Sequence, residues 1–200
     1  MSDTRDDVWR KVQVKLLLDT GEERLDPKPF MNVFHDWVKH QSLGELLIDV
    51  VDDSHVHQGP SVVLVGHGSD YTIDLADGEP GLLCTRKREL PGAEAERLED
   101  ALRRALAACR ELSEDARLDP PPRFRTDRIV FRALDRLSAP NDAESFERHA
   151  PALRALLSRV VGEGRSELER DVREARSPLT VTATIAEPPD FAILLEALAA

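Results

Sequence analysis

Residues 62–88, VVLVGHGSDYTIDLADGEPGLLCTRKR, decide the fold. The stretch contains three apolar runs, VVLVGH, YTIDLA and LLCTRKR, which are separated only by GSD and DGEPG. Connections this short hold consecutive strands side by side in antiparallel orientation. The stretch therefore predicts an antiparallel meander.

Other strands and helices are predicted on both sides of this meander. Runs rich in Val, Ile and Leu predict strands at 8–18, 46–51, 128–134 and 179–185. Apolar residues that recur every three or four positions predict helices at 30–41, 93–114, 138–161 and 188–198. In the third helix, Asn141 and Glu144 suggest a capping box, and Pro151 is expected to split or kink the helix near His149. The charged segment 163–177 is expected to fray.

The predicted order is β-α-β-β-β-β-α-β-α-β-α. This order indicates an α+β fold with a mostly antiparallel sheet, a central meander and helices packed on one face. Two hundred residues fit a single domain, 1–200, and the proline-rich segment 118–123 could divide it into two lobes. Two similar stretches lead into predicted helices: LLLD followed by PKPF, and RALD followed by APNDAESF. A duplication is therefore one reading of the two halves.

Composition excludes several classes of protein. A net charge of −11 argues against binding to nucleic acid or to an anionic membrane surface. No segment approaches the ~20 apolar residues of a membrane span. The polar start MSDTRDDVWRK is unlike a signal peptide, so we expect a cytoplasmic location. Cys84 and Cys109 lack CxxC spacing and are expected to be reduced and buried.

Four stretches resemble parts of a bacterial protein family: VFHDWV, LLIDVVDDSHVHQGP, LVGHGSDYTID and DRLSAPND. The resemblance would cover most of the chain. The family has no assigned activity, so the resemblance implies no ligand, reaction or site.

Histidines concentrate in the segment that leads into the meander, where five of the six lie between positions 35 and 67. His55 and His57 are two residues apart, so on an extended segment they point to the same side. Together with His67 and a carboxylate such as Asp52 they could hold Zn²⁺ or Fe²⁺. A water bound to that metal could then act as a hydrolytic nucleophile.

Familiar metal motifs argue against this site. Gly59 and Pro60 stand where the pattern HxHxDH of metallo-β-lactamases has its acid and third histidine, and Glu79 is too distant for the cupin pattern. Gly59 and Pro60 are instead typical of a turn, and the glycines on both sides of His67 suit a hairpin tip with positive φ. We therefore expect no cofactor, and zinc or iron remains the alternative.

Asp49 interrupts the apolar run LLIDVV. If its side chain points inward, it requires a partner such as His35 or a basic residue. If it points outward, Ile48 and Val50 form the buried pair. We favour the outward orientation.

Function is predicted mainly by exclusion, because the chain contains no GxxxxGK[ST], GxGxxG or GxSxG motif. The leading hypothesis is a soluble, non-catalytic binding or protein-interaction module that contacts another protein or a second copy of the chain. The alternatives are the metal-dependent hydrolase and a structural subunit of an assembly. One candidate surface is the amphipathic C-terminal helix. The other comprises the side chains around the histidines: His35, Asp49, His55, His57, His67, Asp70 and Tyr71.

Overall fold

The computed structural model describes residues 9, 11–20, 25–55, 60–87, 92–172 and 176–199. Within these residues the strands form one eight-stranded antiparallel sheet in the order β2-β3-β4-β5-β1-β6-β8-β7. The strands are β1 Val12–Leu18, β2 Leu47–Asp52, β3 Pro60–Gly66, β4 Ser69–Asp74, β5 Gly81–Arg86, β6 Phe124–Ala133, β7 Ser166–Arg170 and β8 Leu179–Ile185. The helices are α1 Lys28–His40, α2 Glu94–Glu114, α3 Ala143–Val161 and α4 Phe191–Ala197. The predicted α+β fold and its meander, β3 to β5, are confirmed.

Alternation along the strands gives the sheet two different faces. A row of directly paired residues that crosses six strands is buried throughout, and all of its members except Tyr71 are apolar. The row is Leu64, Tyr71, Cys84, Val14, Phe131 and Val181. The next row, on the opposite face, is polar or charged over most of its length: Val65, Asp70, Thr85, Gln13, Arg132 and Thr180. Helix α1 packs on β2 and β3, α2 on β1 and β5, and α3 on β7 and β8. The helices therefore enclose the apolar face.

The two halves of the chain repeat one topology. In the first half a strand (β1) leads into a helix (α1), and the last strand (β5) returns beside the first before α2 follows. The second half does the same with β6, α3, β8 and α4. Antiparallel pairing of β1 with β6 joins the halves, so the sheet continues across 118–123. The first half extends two strands further outward than the second, through β3 and β2.

Three local expectations need correction. Strand β7 lies within the segment that was expected to fray. Helix α3 runs as one helix with Pro151 inside it, and its N-cap is Asp142, whose Oδ1 accepts the Ser145 N–H at 2.8 Å. Asn141 instead donates from its side chain to the Asp171 carbonyl.

The C-terminal helix α4 packs on α2 and α3 of its own chain. Leu194 and Leu198 are buried there, and Phe191 meets Phe124 edge to face with ring centroids 6.4 Å apart. This apolar stripe is covered within the chain, whereas Ile193 on the same helix is 54% exposed. A partner contact through α4 stays a prediction.

Candidate functional site

The histidines of the predicted window lie on separate elements. His35 is exposed on α1, His55 is exposed in the turn after β2, and His67 is exposed between β3 and β4. His57 lies outside the described residues. Within the described residues no three His, Cys, Asp or Glu side chains form a group that could hold a metal ion. The zinc or iron alternative requires His57 and stays a prediction.

The aspartates of the window are engaged locally. Asp49 is exposed, and its Oδ1 accepts the N–H of Val50 at 2.8 Å. Asp52 accepts the Ser54 N–H, and hydrogen bonds from Ser54 lower the pKa of its carboxyl. Asp70 forms an ion pair of 2.8 Å with Lys87. These are turn and surface contacts, and they do not converge on one point.

Tyr71 needs correction as a surface candidate. Its side chain is only 1% exposed, and it lies in the buried row on the helix side of the sheet. Asp70 precedes it and therefore faces the opposite side. These two predicted neighbours do not share a surface.

Sequence reasoning missed Glu45, which lies between α1 and β2 and organises the turn around His67. Its Oε2 accepts the N–H groups of Gly68 and Ser69 at 3.0 Å each. Its Oε1 accepts the Tyr71 hydroxyl at 2.7 Å and an Arg104 N–H at 3.0 Å. The carboxylate therefore ties the start of β2 to the β3–β4 turn and to α2.

The glycines of GHGSD serve this close approach. Neither Gly66 nor Gly68 has a positive φ, contrary to expectation. A Cβ on Gly66 would lie 2.5 Å from the Ser69 carbonyl oxygen, and one on Gly68 would lie 3.0 Å from Glu45 Oε2. Lack of space, rather than backbone conformation, therefore requires glycine at these positions.

Charges around Glu45 are balanced within the fold. Burial would raise the pKa of Glu45, but the Tyr71 hydrogen bond, the Arg104 charge and the bonds from Ser69 and Gly68 outweigh it, so the pKa is lowered. Burial and the negative charges of its surroundings raise the pKa of Tyr71. Asp100 lies 2.9 Å from Arg86 and 3.1 Å from Arg104. These groups hold β2, the β3–β4 turn, β5 and α2 together.

The remaining reactive groups are enclosed as well. Burial raises the pKa of Cys84 to about 12 and that of Cys109 well above its ordinary value, so both thiols stay protonated near neutral pH. His149, near which Pro151 was expected to break the helix, is buried. Its Nδ1 lies 2.6 Å from a Glu94 carboxylate oxygen. It has no route to a ligand in solution.

The β2 edge, residues 46–52, carries three of the six exposed large hydrophobic side chains among the described residues. Leu46 is 59% exposed, Ile48 is 53% exposed and Val51 is 38% exposed. A β-bulge between Leu47 and Asp49 turns Ile48 outward, so it is not the buried partner of Val50. Within the part of the chain that the structure describes, β2 forms one border of the sheet and pairs with β3 alone.

The other border of the sheet differs in chemistry. Strand β7 has the sequence SELER, and Glu167 and Glu169 are its exposed residues. Charged residues on an edge strand hinder pairing with another chain. The two borders therefore differ: the β2 edge presents three aliphatic side chains to water, whereas the β7 border presents mainly charged ones, followed by the exposed Val172.

No model of a known protein family matches the chain, and no curated protein shows significant sequence similarity to it. Among the helices within the described residues, none is long and apolar enough to cross a bilayer.

Proposed function

We propose that the chain is a soluble, non-catalytic protein-interaction module, and that its contact surface is the β2 edge. The observation that carries this proposal is the exposure of Leu46, Ile48 and Val51 on a border strand. A border strand has an unpaired row of backbone groups, which is a template for pairing with another chain.

Energetic reasoning supports a moderate affinity. Full burial of an aliphatic side chain contributes about 1.5–3 kcal/mol. These three side chains are roughly half exposed, so covering them contributes about 1 kcal/mol each. The cost of association, about 4 kcal/mol or more, exceeds this gain. Backbone hydrogen bonds to an added strand must supply the rest, so a transient contact that is micromolar at best is expected.

A non-catalytic role also agrees with where the chemistry lies. Glu45, Tyr71 and Cys84, whose pKa values are shifted, are enclosed and bound to structural partners or packed in the core. Strongly shifted groups in an open cleft would favour catalysis, and these groups hold the fold instead.

The test compares retention of partner proteins by three immobilised chains: the native chain, Ile48→Lys and Leu137→Lys. Leu137, on the loop before α3, is 93% exposed and serves as the matched control. The native chain and Leu137→Lys should retain the same proteins from an extract of the source cells, and Ile48→Lys should lose them. Amide hydrogen exchange should show slowed exchange in 46–52 when the partner is bound. Equal retention by all three chains would refute the proposal.

A further inference from the structure

We infer that the partner of the β2 edge is an extended protein segment in which aliphatic side chains alternate with lysine or arginine, and that this segment pairs with β2 as an additional strand. The inference rests on the proposed function and names the partner's chemistry.

The backbone of β2 leaves its second half open to an incoming strand. The Leu46 carbonyl accepts from His67, and the Asp53 N–H donates to Ser61, so both groups point toward β3. Backbone groups alternate in direction along an antiparallel strand. Val50 and Asp52 therefore direct theirs away from β3.

On the outer side of β2, two side chains of the protein itself bind backbone groups that a neighbouring strand would otherwise bind. Gln41 donates to the Leu47 carbonyl at 3.0 Å and accepts the Leu47 N–H at 2.8 Å. Asp49 accepts the Val50 N–H. Gln41 thus closes the first end of β2, whereas Asp49 is exposed and can turn toward a cation on an incoming strand. The predicted pairing is centred on Val50–Asp52.

Charge decides which segment fits. Asp49 and Asp52 are exposed, and Asp53 follows directly. The charge of Lys28 contributes to lowering the pKa of Asp52, but no direct ion pair of a lysine or arginine with Asp49, Asp52 or Asp53 is found among the described residues. The chain as a whole carries a net charge of −11. Side chains alternate along this part of β2, so Asp49 and Asp53 lie on one face of the sheet and Asp52 on the other. Lysine or arginine opposite Asp49 and Asp53 is favourable, whereas acidic residues opposite them are repelled.

The same charges disfavour a second copy as occupant. Antiparallel pairing of two β2 strands would bring Asp49, Asp52 and Asp53 from each copy into one short ribbon. Like charges that face each other across strands are destabilising. Ile48 and Val51 would still find apolar contacts, but a basic partner provides these contacts without the repulsion.

The experiment measures fluorescence anisotropy with two labelled seven-residue peptides, one alternating Lys with Val and the other alternating Glu with Val. The native chain should bind the Lys–Val peptide at least about tenfold more tightly than the Glu–Val peptide. Asp49→Asn/Asp53→Asn should weaken Lys–Val binding by about tenfold. Ile48→Lys should abolish binding, and Leu137→Lys should leave it unchanged. N-methylation of alternate backbone nitrogens of the peptide should also abolish binding.

The contrary outcomes separate this inference from the proposed function. Equal binding of both peptides, with loss in Ile48→Lys, would overturn the charge selection and leave the edge as an interaction surface. Lys–Val binding that survives N-methylation would overturn strand pairing, and so would absence of binding to either peptide. A dimer in sedimentation of the native chain that Ile48→Lys dissociates would make a second copy the occupant. The retention experiment tests the proposed function separately: equal retention of partner proteins by all three immobilised chains would refute it.

Discussion

Glu45→Gln is expected to destabilise the fold by about 3 kcal/mol. Glu45 accepts four hydrogen bonds, two from backbone N–H groups and one each from Tyr71 and Arg104. Glutamine has nearly the same shape but only one accepting oxygen. If that oxygen stays on Gly68 and Ser69, the amide nitrogen faces Tyr71 and the Arg104 guanidinium. The substitution therefore removes the hydrogen bonds that the charged carboxylate accepts from Tyr71 and from Arg104. A hydrogen bond to a charged group contributes about 1.5–3 kcal/mol. Arg104 keeps Asp100 at 3.1 Å, and this contact reduces the loss.

The loss should depend on pH in a defined direction. The pKa of Glu45 is lowered from its ordinary value of 4.5, so the unfolded chain binds its proton more readily than the folded chain does. The stability that this carboxylate contributes is fully present above pH 4.5 and declines as the pH falls through the folded-state pKa. The difference in unfolding free energy between the native chain and Glu45→Gln should therefore narrow below pH 4.5.

Urea unfolding, followed by circular dichroism at several pH values, measures both effects. With a slope of about 2 kcal/mol/M, the midpoint should fall by roughly 1.5 M at neutral pH. Glu111→Gln is the matched control, because Glu111 makes only an exposed ion pair with Arg110. It should change the free energy of unfolding by less than about 0.5 kcal/mol. Equal effects of the two substitutions, or a Glu45→Gln effect that is the same at every pH, would refute the reasoning.

Three other substitutions test buried contacts elsewhere in the fold. Lys15→Met leaves Asp74, its partner at 2.8 Å, buried without a cation, so urea unfolding should show a loss of about 3–5 kcal/mol. Lys15→Met/Asp74→Leu should recover much of it, and a double variant no more stable than the single one would contradict this account. His149→Ala removes the contact with Glu94 and a buried ring. It should lower the melting temperature in calorimetry by about 4–8 °C, and an unchanged value would count against the contact. Leu194→Ala should cost about 2–4 kcal/mol in urea, because Leu194 is the fully buried residue by which α4 packs on α2 and α3; a loss below about 0.5 kcal/mol would mean that α4 is not docked.

Local patterns predicted the elements whose signals are themselves local. The meander follows from apolar runs with short connections, and α1 follows from Phe30, Val33, Phe34 and Trp37 at helical spacing. Strand β7 was missed because its charged residues suit a solvated edge and carry almost no apolar alternation. The N-cap of α3 was misplaced by one residue because adjacent Asn141 and Asp142 are both good caps, and tertiary contacts chose between them.

The candidate site depends on contacts that no local pattern contains. LLIDVV reads as a buried strand, and only its place at the border of the sheet, together with the bulge, exposes Ile48. The partners of Glu45 lie 23 to 59 residues away in sequence. Asp49 is exposed, as the favoured orientation implied, whereas the burial of Tyr71 follows from the register of β4 with its neighbours.

The extra length of the first half has a consequence for how such a chain can diversify. The seam between β1 and β6 lies at the centre of the sheet, whereas β2 and β3 occupy positions that have no counterpart in the second half. Under the proposed function, exchanging the side chains of β2 and β3 would alter recognition while leaving the seam intact. The contact surface and the seam can then change independently of each other.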